Sequence, residues 1–553
     1  MRKQGDGTGG LRIAGASHLV KDDYYTLSSK SNTGFYHQYQ VSGWKRHQHW
    51  QWGASANVFR DIHPARYKSS PAEQDIRPAQ VNRYRFNAWA DFSFSANHSL
   101  FLRLNYVPNR VGSQYRYGGN ESLTNRRQAP FNPTLSLRNY FGGGWSHQLD
   151  ASLLVDRYTS EMNSYTGSLN EYHNYDTRLK NSMLLLRDRI SYHLNSINWQ
   201  WEPAVNVSYR KYKAELDNRE YTLRDDQLIS ELRTTAQQQS ESLVLTPQMG
   251  ITFKQQVHLL AGLSSRLTDD RQAHFDSARI FPFVSFAADI LRLIKETSNY
   301  SGKFFFSWSR PGDLSDEIYK MDDYLTEPPY RSTNSLLYLQ IPYEEKVRFS
   351  SLQTGVQFSS GDRYSISYNF EHRKYHDELL VSVPFPTSQL VNWPPHTYTA
   401  HRLGITAMVY KSATVEWRGG LNVNTYRLKI TESQAFAPAE IKIVSNNKKP
   451  LWTGGFVQRV RYKKFVAGLD VVYALNDQVS SGVSTYSKED SWKINNLYAG
   501  YNFMVGRQWP VEVYGSFTHI WPDNASVFTD IHRLGAAYVD RRQYYGVGFR
   551  TSF

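Results

Sequence analysis

The 553-residue sequence contains no cysteine. That removes a disulfide scaffold, a cysteine-ligated zinc site, an iron–sulfur cluster and thiol catalysis. No apolar run reaches the roughly 18 residues that a membrane-spanning helix needs. Gly-x-Ser-x-Gly nucleophile elbows, phosphate-binding P-loops and His-Glu-x-x-His zinc sites are also absent. No acidic pair stands out as a catalytic dyad, so the chain is expected not to be an enzyme and to need no cofactor. The N-terminus, Met1-Arg2-Lys3-Gln4-Gly5-Asp6-Gly7-Thr8-Gly9-Gly10, lacks the apolar core of a secretory signal. The sequence therefore reads as a mature form or a fragment of a longer precursor.

What the chain has in quantity is aromatic side chains: 39 Tyr, 28 Phe and 14 Trp, 15% of all residues. Basic residues outnumber acidic ones by 64 to 50, for a formal charge of +14. A nucleic-acid surface would cluster that surplus on one face. Here it is spread along the chain, with short groups such as Lys45-Arg46 and Lys463-Lys464. No nucleic-acid partner is expected, and lumen-facing side chains and contacts to anionic lipid account for the excess. An aromatic-rich chain that is polar on average and has no apolar helix fits a transmembrane β-barrel, where every second residue faces a polar lumen.

Alternation at period two supports this, because successive strand side chains point to opposite faces. In residues 83–94, Tyr84, Phe86, Ala88, Ala90, Phe92 and Phe94 alternate with Arg83, Arg85, Asn87, Asp91 and Ser93. Leu100, Leu102, Leu104 and Tyr106 alternate with Arg103 and Asn105; Tyr364, Ile366, Tyr368 and Phe370 alternate with Arg363, Ser365, Ser367, Asn369 and Glu371. The segment 412–424 sets Val415, Trp417, Leu421 and Val423 against Glu416, Arg418, Asn422 and Asn424. Candidate strands run about 10–15 residues, longer than the globular mode of roughly 5–6. Aromatics gather near their ends, as interfacial girdles do.

The connections give the strongest internal check. Tight turns at Lys45-Arg46, Asn97, Asn195-Ser196-Ile197, Gly361, Lys411, Lys464 and Arg507 alternate with long connections at about 19–33, 61–79, 111–132, 159–179, 213–241, 267–278, 312–347, 375–397, 429–449, 477–490 and 521–540. Strict alternation of short and long connections is the pattern of periplasmic turns and extracellular loops. The fold class is thus all-β: a closed antiparallel transmembrane β-barrel of about 22 strands, with long extracellular loops and short periplasmic turns. Residues 1–10 form a short polar segment and 11–553 the outer-membrane barrel. Arg83, Arg85, Asp91, Arg103, Arg363, Glu371, Glu416 and Arg418 are expected to line the lumen.

The last strand alternates Tyr545, Val547, Phe549, Thr551 and Phe553. It resembles the C-terminal signature read by the outer-membrane barrel assembly machinery, with Phe549 and Phe553 as its aromatic residues. Together with the strand count and the ending Tyr545-Gly546-Val547-Gly548-Phe549, the whole chain resembles the barrel domain of TonB-dependent outer-membrane transporters, closest to the SusC-like type of Bacteroidota. The resemblance implies a lipid-embedded importer and a partner that bears a plug or is a surface lipoprotein. In that family a plug and a TonB-box precede the barrel, whereas only about 10 residues precede the first candidate strand here. A plug from missing residues or a partner is therefore expected, and a non-transporting barrel serving as scaffold or subunit of an outer-membrane complex is the alternative.

Three smaller groups carry chemistry-bearing side chains. His47 and His49 are two apart, but with no third ligand nearby they are expected to be polar lining, and no metal site is assigned. Asp313, Asp316, Glu317, Asp322, Asp323 and Glu327 lack calcium-loop spacing and are expected to be a solvated loop. Tyr324, Tyr330 and Trp393, in connections also rich in proline, are the expected ligand or partner surface, because rigid aromatic rings offer large contact area.

Overall fold

The computed structural model describes residues 9–22, 32–62, 80–117, 120–225, 227–268, 280–296, 299–309, 347–361, 363–381, 390–393, 395–430, 451–475, 479–481, 484–486, 491–506, 509–520 and 542–552. Its spanning strands are β1 (Gly9–Asp22), β2 (Asn32–Arg46), β3 (Trp50–Ile62), β4 (Gln80–Ser95), β5 (His98–Tyr106, continued past Val107 and Pro108 by Asn109–Tyr117) and β6 (Asn120–Gln128, continued past Ala129 and Pro130 by Phe131–Tyr140). There follow β7 (Trp145–Thr166), β8 (Glu171–Tyr192), β9 (Trp199–Arg224), β10 (Gln227–Phe253), β11 (Val257–Thr268), β12 (Ile280–Asp289), β13 (Tyr300–Ser309) and β14 (Val347–Ser360). The last are β15 (Tyr364–Val381), β16 (His396–Lys411), β17 (Val415–Ile430), β18 (Leu451–Tyr462), β19 (Phe465–Leu475), β20 (Ser491–Val505), β21 (Trp509–Ile520) and β22 (Arg542–Ser552). Each pairs antiparallel with its neighbours in sequence. β22 returns to β1, from Ser552 opposite Arg12 to Arg542 opposite Asp22, and closes a 22-stranded barrel.

The register brings the alternating residues into rings. Trp52, Ala90, Leu102, Leu135, Ala151 and Leu186 lie opposite one another across β3 to β8. One residue along, Gln51, Asp91, Phe101, Ser136, Asp150 and Arg187 form the corresponding row on the other face. The first row belongs to an apolar belt that would be an aggregation surface in water and that a bilayer covers. On this outward face Asp188 is an exception, answered by His147 Nε2 at 2.8 Å. Tight turns close the periplasmic end. One of them places Gly144 at φ +91°, with the His193 carbonyl 2.5 Å from where a Cβ would stand, so a side chain is excluded there.

Several boundaries differ from the sequence expectation. β1 begins at Gly9 rather than at 11. β12 ends at Asp289 and hands over to a one-turn helix, α1 (Ile290–Ile294), at the start of the connection to β13. Asp289 caps it: its carboxylate accepts from Arg292 N (3.2 Å), Gly302 N (3.1 Å) and Ser301 Oγ (2.6 Å). His47 and His49 sit in the turn between β2 and β3 rather than on one strand face, and His47 stacks on Trp50 at 4.6 Å.

The larger correction concerns segments 111–132, 159–179 and 213–241, expected as loops. The described residues of all three are mostly strand, and the hairpin of β9 and β10 carries the ladder up to Arg224 opposite Gln227. Segment 375–397 is also partly strand, in Tyr375–Val381 of β15 and a short strand Leu390–Trp393. Segment 312–347 lies almost entirely outside the described residues. The physical reason shows best on β9. Its outward positions run Trp199, Trp201, Val205, Val207 and Tyr209, and then Lys211, Lys213, Glu215, Asp217 and Arg219. The inward positions meanwhile become apolar and buried at Ala214 and Leu216. The strand thus leaves the bilayer near Tyr209, the polarity of its faces inverts, and a search for apolar-outward alternation stops there.

Above that level the outward face is tied by ion pairs: Lys213 to Glu215 (2.7 Å), Arg219 to Glu231 (2.8 Å) and Arg233 to Asp217 (2.9 Å). Hydrogen bonding by Lys213 holds the Glu215 carboxyl below its ordinary value, and Arg233 does the same for Asp217. A carboxyl lowered in the folded state stabilises it fully above the unfolded-state pKa and loses that contribution as pH falls through the lowered folded value. Backbone amides of residues 211–241 are therefore expected to lose protection at about pH 3 relative to neutral pH, after correction for intrinsic rates, while amides of β18 and β19 keep theirs. Hydrogen exchange read by mass spectrometry checks this; equal loss in both regions would assign the acid effect to the whole barrel.

Candidate functional site

The inner wall is where this fold can hold another molecule. On β15, residues 365, 367, 369, 371, 373 and 375 face inward, and Phe370 and the exposed Tyr364, Ile366 and Tyr368 face outward. Glu371 is only 3% exposed. Its carboxylate accepts from Arg373 on its own strand and from Arg402 on β16, the latter at 2.9 Å. The Arg373 guanidinium also lies over the rings of Phe349 (5.5 Å) and Tyr398 (6.0 Å), and the Tyr375 ring packs tilted against Phe349 with centroids 5.2 Å apart. Two cations thus share one buried carboxylate beside three aromatic rings. Such a surface suits a planar anionic or peptide-like group, since guanidinium offers a fork of donors and the rings offer apolar faces.

Across the lumen, β5 to β9 carry a buried polar layer. Gln128 Nε2 donates to Asp156 Oδ2 (2.8 Å), Asn132 Nδ2 donates to Ser152 Oγ (2.9 Å), and Thr177 Oγ1 donates to Asn218 Oδ1 (2.9 Å). Asn105 and Asn109, 1% and 7% exposed, have amide groups that find no hydrogen-bond partner among the described residues. Toward the periplasmic end, Glu202 pairs with Arg189 and borders a recess of about 380 Å³ with Thr252, His258, Phe305 and Ser307. Inward aromatic rings lie flat because glycine stands beneath them. A Cβ on Gly355 would come within 2.4 Å of the Phe305 ring, one on Gly262 within 2.5 Å of Phe283, and one on Gly53 within 2.7 Å of Trp89.

The lumen residues expected from sequence distribute as follows. Arg83, Arg85 and Asp91 share the inward face of β4, and Arg103 lies opposite Trp89 on the inward face of β5. Glu416 and Arg418 face inward near the periplasmic turn and pair at 2.6 Å. Arg363 departs from expectation: it sits in the turn between β14 and β15 and is exposed there. Phe549 is partly exposed on β22, opposite Gly15 and Val513. Tyr324, Tyr330 and Phe553 lie outside the described residues. The backbone of Trp393 pairs with Glu378 of β15. Among the described residues no group of three or more His, Asp or Glu is placed to hold a metal ion.

Arg402, Gln128, Asp156, Asn132 and Asn218 line the inner wall without standing out in the sequence. Arg402 follows Tyr398 and Ala400, a pattern with little polar contrast, and only the register of β16 on β15 brings it to Glu371. The others lie in or beside segments expected to be loops.

No family model and no curated protein matches the sequence. Solved structures do. The RagAB peptide importer in its open-open state superposes with a TM-score of 0.68 at 12% identity, covering 98% of this chain and 85% of that one. The outer membrane transporter YddB from Escherichia coli gives 0.66 at 10% identity, with 98% and 81% covered. The chain has the barrel fold of TonB-dependent outer-membrane transporters. The siderophore receptor PirA from Pseudomonas aeruginosa is similar at a TM-score of 0.55 and 11% identity, with 100% and 81% covered. These relatives in fold are transporters and receptors rather than enzymes. The apolar outward belt and the tight turns at one end are those of a closed barrel seated in a bilayer.

Proposed function

We propose that this barrel is the outer-membrane conduit of an importer for a nutrient too large for porins, its lumen filled by a plug from a partner or from further chain. The observation that supports this best is the width of the barrel together with its inner wall. Twenty-two strands enclose a lumen that transporters of this size keep plugged. The wall presents buried amides and a carboxylate shared by two arginines, which suit a polar, folded filler or a polar cargo. A surface lipoprotein is the partner proposed for the extracellular side, where Tyr324, Tyr330 and Trp393 form the ligand or partner surface.

The test is uptake in the native host. Labelled peptide, siderophore and glycan pools are offered to cells with and without the gene, and with the proton motive force intact or dissipated. Uptake of one pool is expected to fall to background in both the deletion and the de-energised cells. Alanine at Tyr324, Tyr330 and Trp393 together is expected to weaken that uptake at least about tenfold, while heat-resistant migration of the folded barrel persists. Uptake unchanged for every pool, with stoichiometric partners still co-purifying, would overturn the importer and support a scaffold barrel instead.

A further inference from the structure

The outward face just above the lipid belt carries a second surface, independent of the lumen. Arg110 of β5 lies opposite Arg127 of β6, Arg127 opposite Thr159 of β7, and Thr159 opposite Arg178 of β8. One row nearer the bilayer, Arg157 of β7 lies opposite Lys180 of β8. All five cations are exposed. Two to four residues below Arg110, Arg127, Arg157 and Lys180 on the same outward faces stand Tyr106, Phe131, Val155 and Leu184, so these four cations sit about 7–14 Å above apolar side chains.

The neighbouring strands make a telling contrast. On β9 and β10 the outward cations are matched within the protein: Lys211 by Glu241 (2.7 Å), Lys213 by Glu215 (2.7 Å) and Arg233 by Asp217 (2.9 Å). On β5 to β8, Arg178 reaches Asp176 only at 3.8 Å, and Arg110, Arg127, Arg157 and Lys180 form no ion pair among the described residues. Glu215 lies opposite Lys180, yet its carboxylate is hydrogen-bonded to Lys213. Like charges on adjacent strands repel across about 5 Å unless something anionic lies over them.

We infer that this patch binds the phosphate groups of a phosphorylated lipid of the outer leaflet, of the lipid A type. The depth of the patch favours this occupant over a protein. The cations stand at head-group level on a face whose lower part already lies in lipid, so acyl chains and phosphates of one molecule can be met at once. Arginine suits the role because its guanidinium grips phosphate through two parallel donors.

The full chain in detergent is mixed with diphosphoryl lipid A, and bound lipid is counted by native mass spectrometry. The variant R110Q/R127Q/R157Q/K180Q is expected to bind at least about tenfold more weakly than the parent protein. The variant K211Q/K213Q/R233Q, whose cations already have carboxylate partners, is expected to bind as the parent does. Lipid A stripped of both phosphates is expected to bind the parent no better than the quadruple variant binds the phosphorylated form. Equal binding by the quadruple variant, or equal binding of the stripped lipid, would overturn the proposal, the latter showing that acyl chains alone carry the contact. Folding of every variant is read from heat-modifiable migration. Should the quadruple variant fail to fold, R127Q/K180Q serves in its place, with an expected loss of about threefold.

Discussion

Replacing Ala88 with arginine is expected to cost about 2–4 kcal/mol of barrel stability and to cut sharply the amount of folded protein in the outer membrane. Ala88 faces outward on β4, opposite Ala54 of β3 and Leu104 of β5, midway along the apolar series from Tyr84 to Phe92. A guanidinium there has no polar partner and must draw water into the hydrocarbon or stretch toward a head group. The adjacent change Asn87→Arg is expected to fold nearly as well as the parent, within about 1 kcal/mol. Asn87 faces the lumen, where its amide donates to Ser55 Oγ at 3.1 Å and a longer polar side chain can extend toward water. Urea titration of heat-modifiable migration measures both. The reverse order would mean a register shifted by one residue, and with it Arg83, Arg85 and Asp91 would point into lipid.

Removing the shared carboxylate is expected to have the second-largest effect. Glu371→Leu leaves Arg373 and Arg402 facing each other with no anion between them. Breaking a buried ion pair by deleting one partner costs about 3–5 kcal/mol. The two arginine side chains retain 31% and 44% of their exposure, so part of their charge is solvated and about 2–3 kcal/mol is the better expectation. The double variant E371L/R402L, which removes one charge of each sign, is expected to recover at least half of the loss. If Glu371→Leu unfolds at the parental urea concentration, the carboxylate does not hold this part of the wall together and its role lies with whatever fills the lumen.

Much of the architecture was legible in the residues alone. Period-two alternation in segments such as 83–94 and 363–371 is a property of a single strand, and a face that must meet lipid imposes it without reference to any neighbour. The alternation of tight turns with long connections carried the strand number. Which lumen residues meet was not legible. Glu371 and Arg402 lie 31 positions apart, and their encounter depends on the pairing offset between β15 and β16.

The sequence by itself determined that the chain is a closed antiparallel barrel of about 22 strands, that Arg83, Arg85 and Asp91 share the face opposite Tyr84 and Phe86, and that the turns between hairpins are short. Those features follow from local chemistry, since each strand sorts its own side chains between lipid and lumen. Tertiary structure alone decided that β7 to β10 continue beyond the membrane, that one buried carboxylate serves two arginines, and that Arg110, Arg127, Arg157 and Lys180 gather on one outward patch. Above the bilayer the outward face turns from apolar to charged, so the contrast that marks a strand inverts. Contacts across strands are set by register, which the side chains of a single strand do not encode.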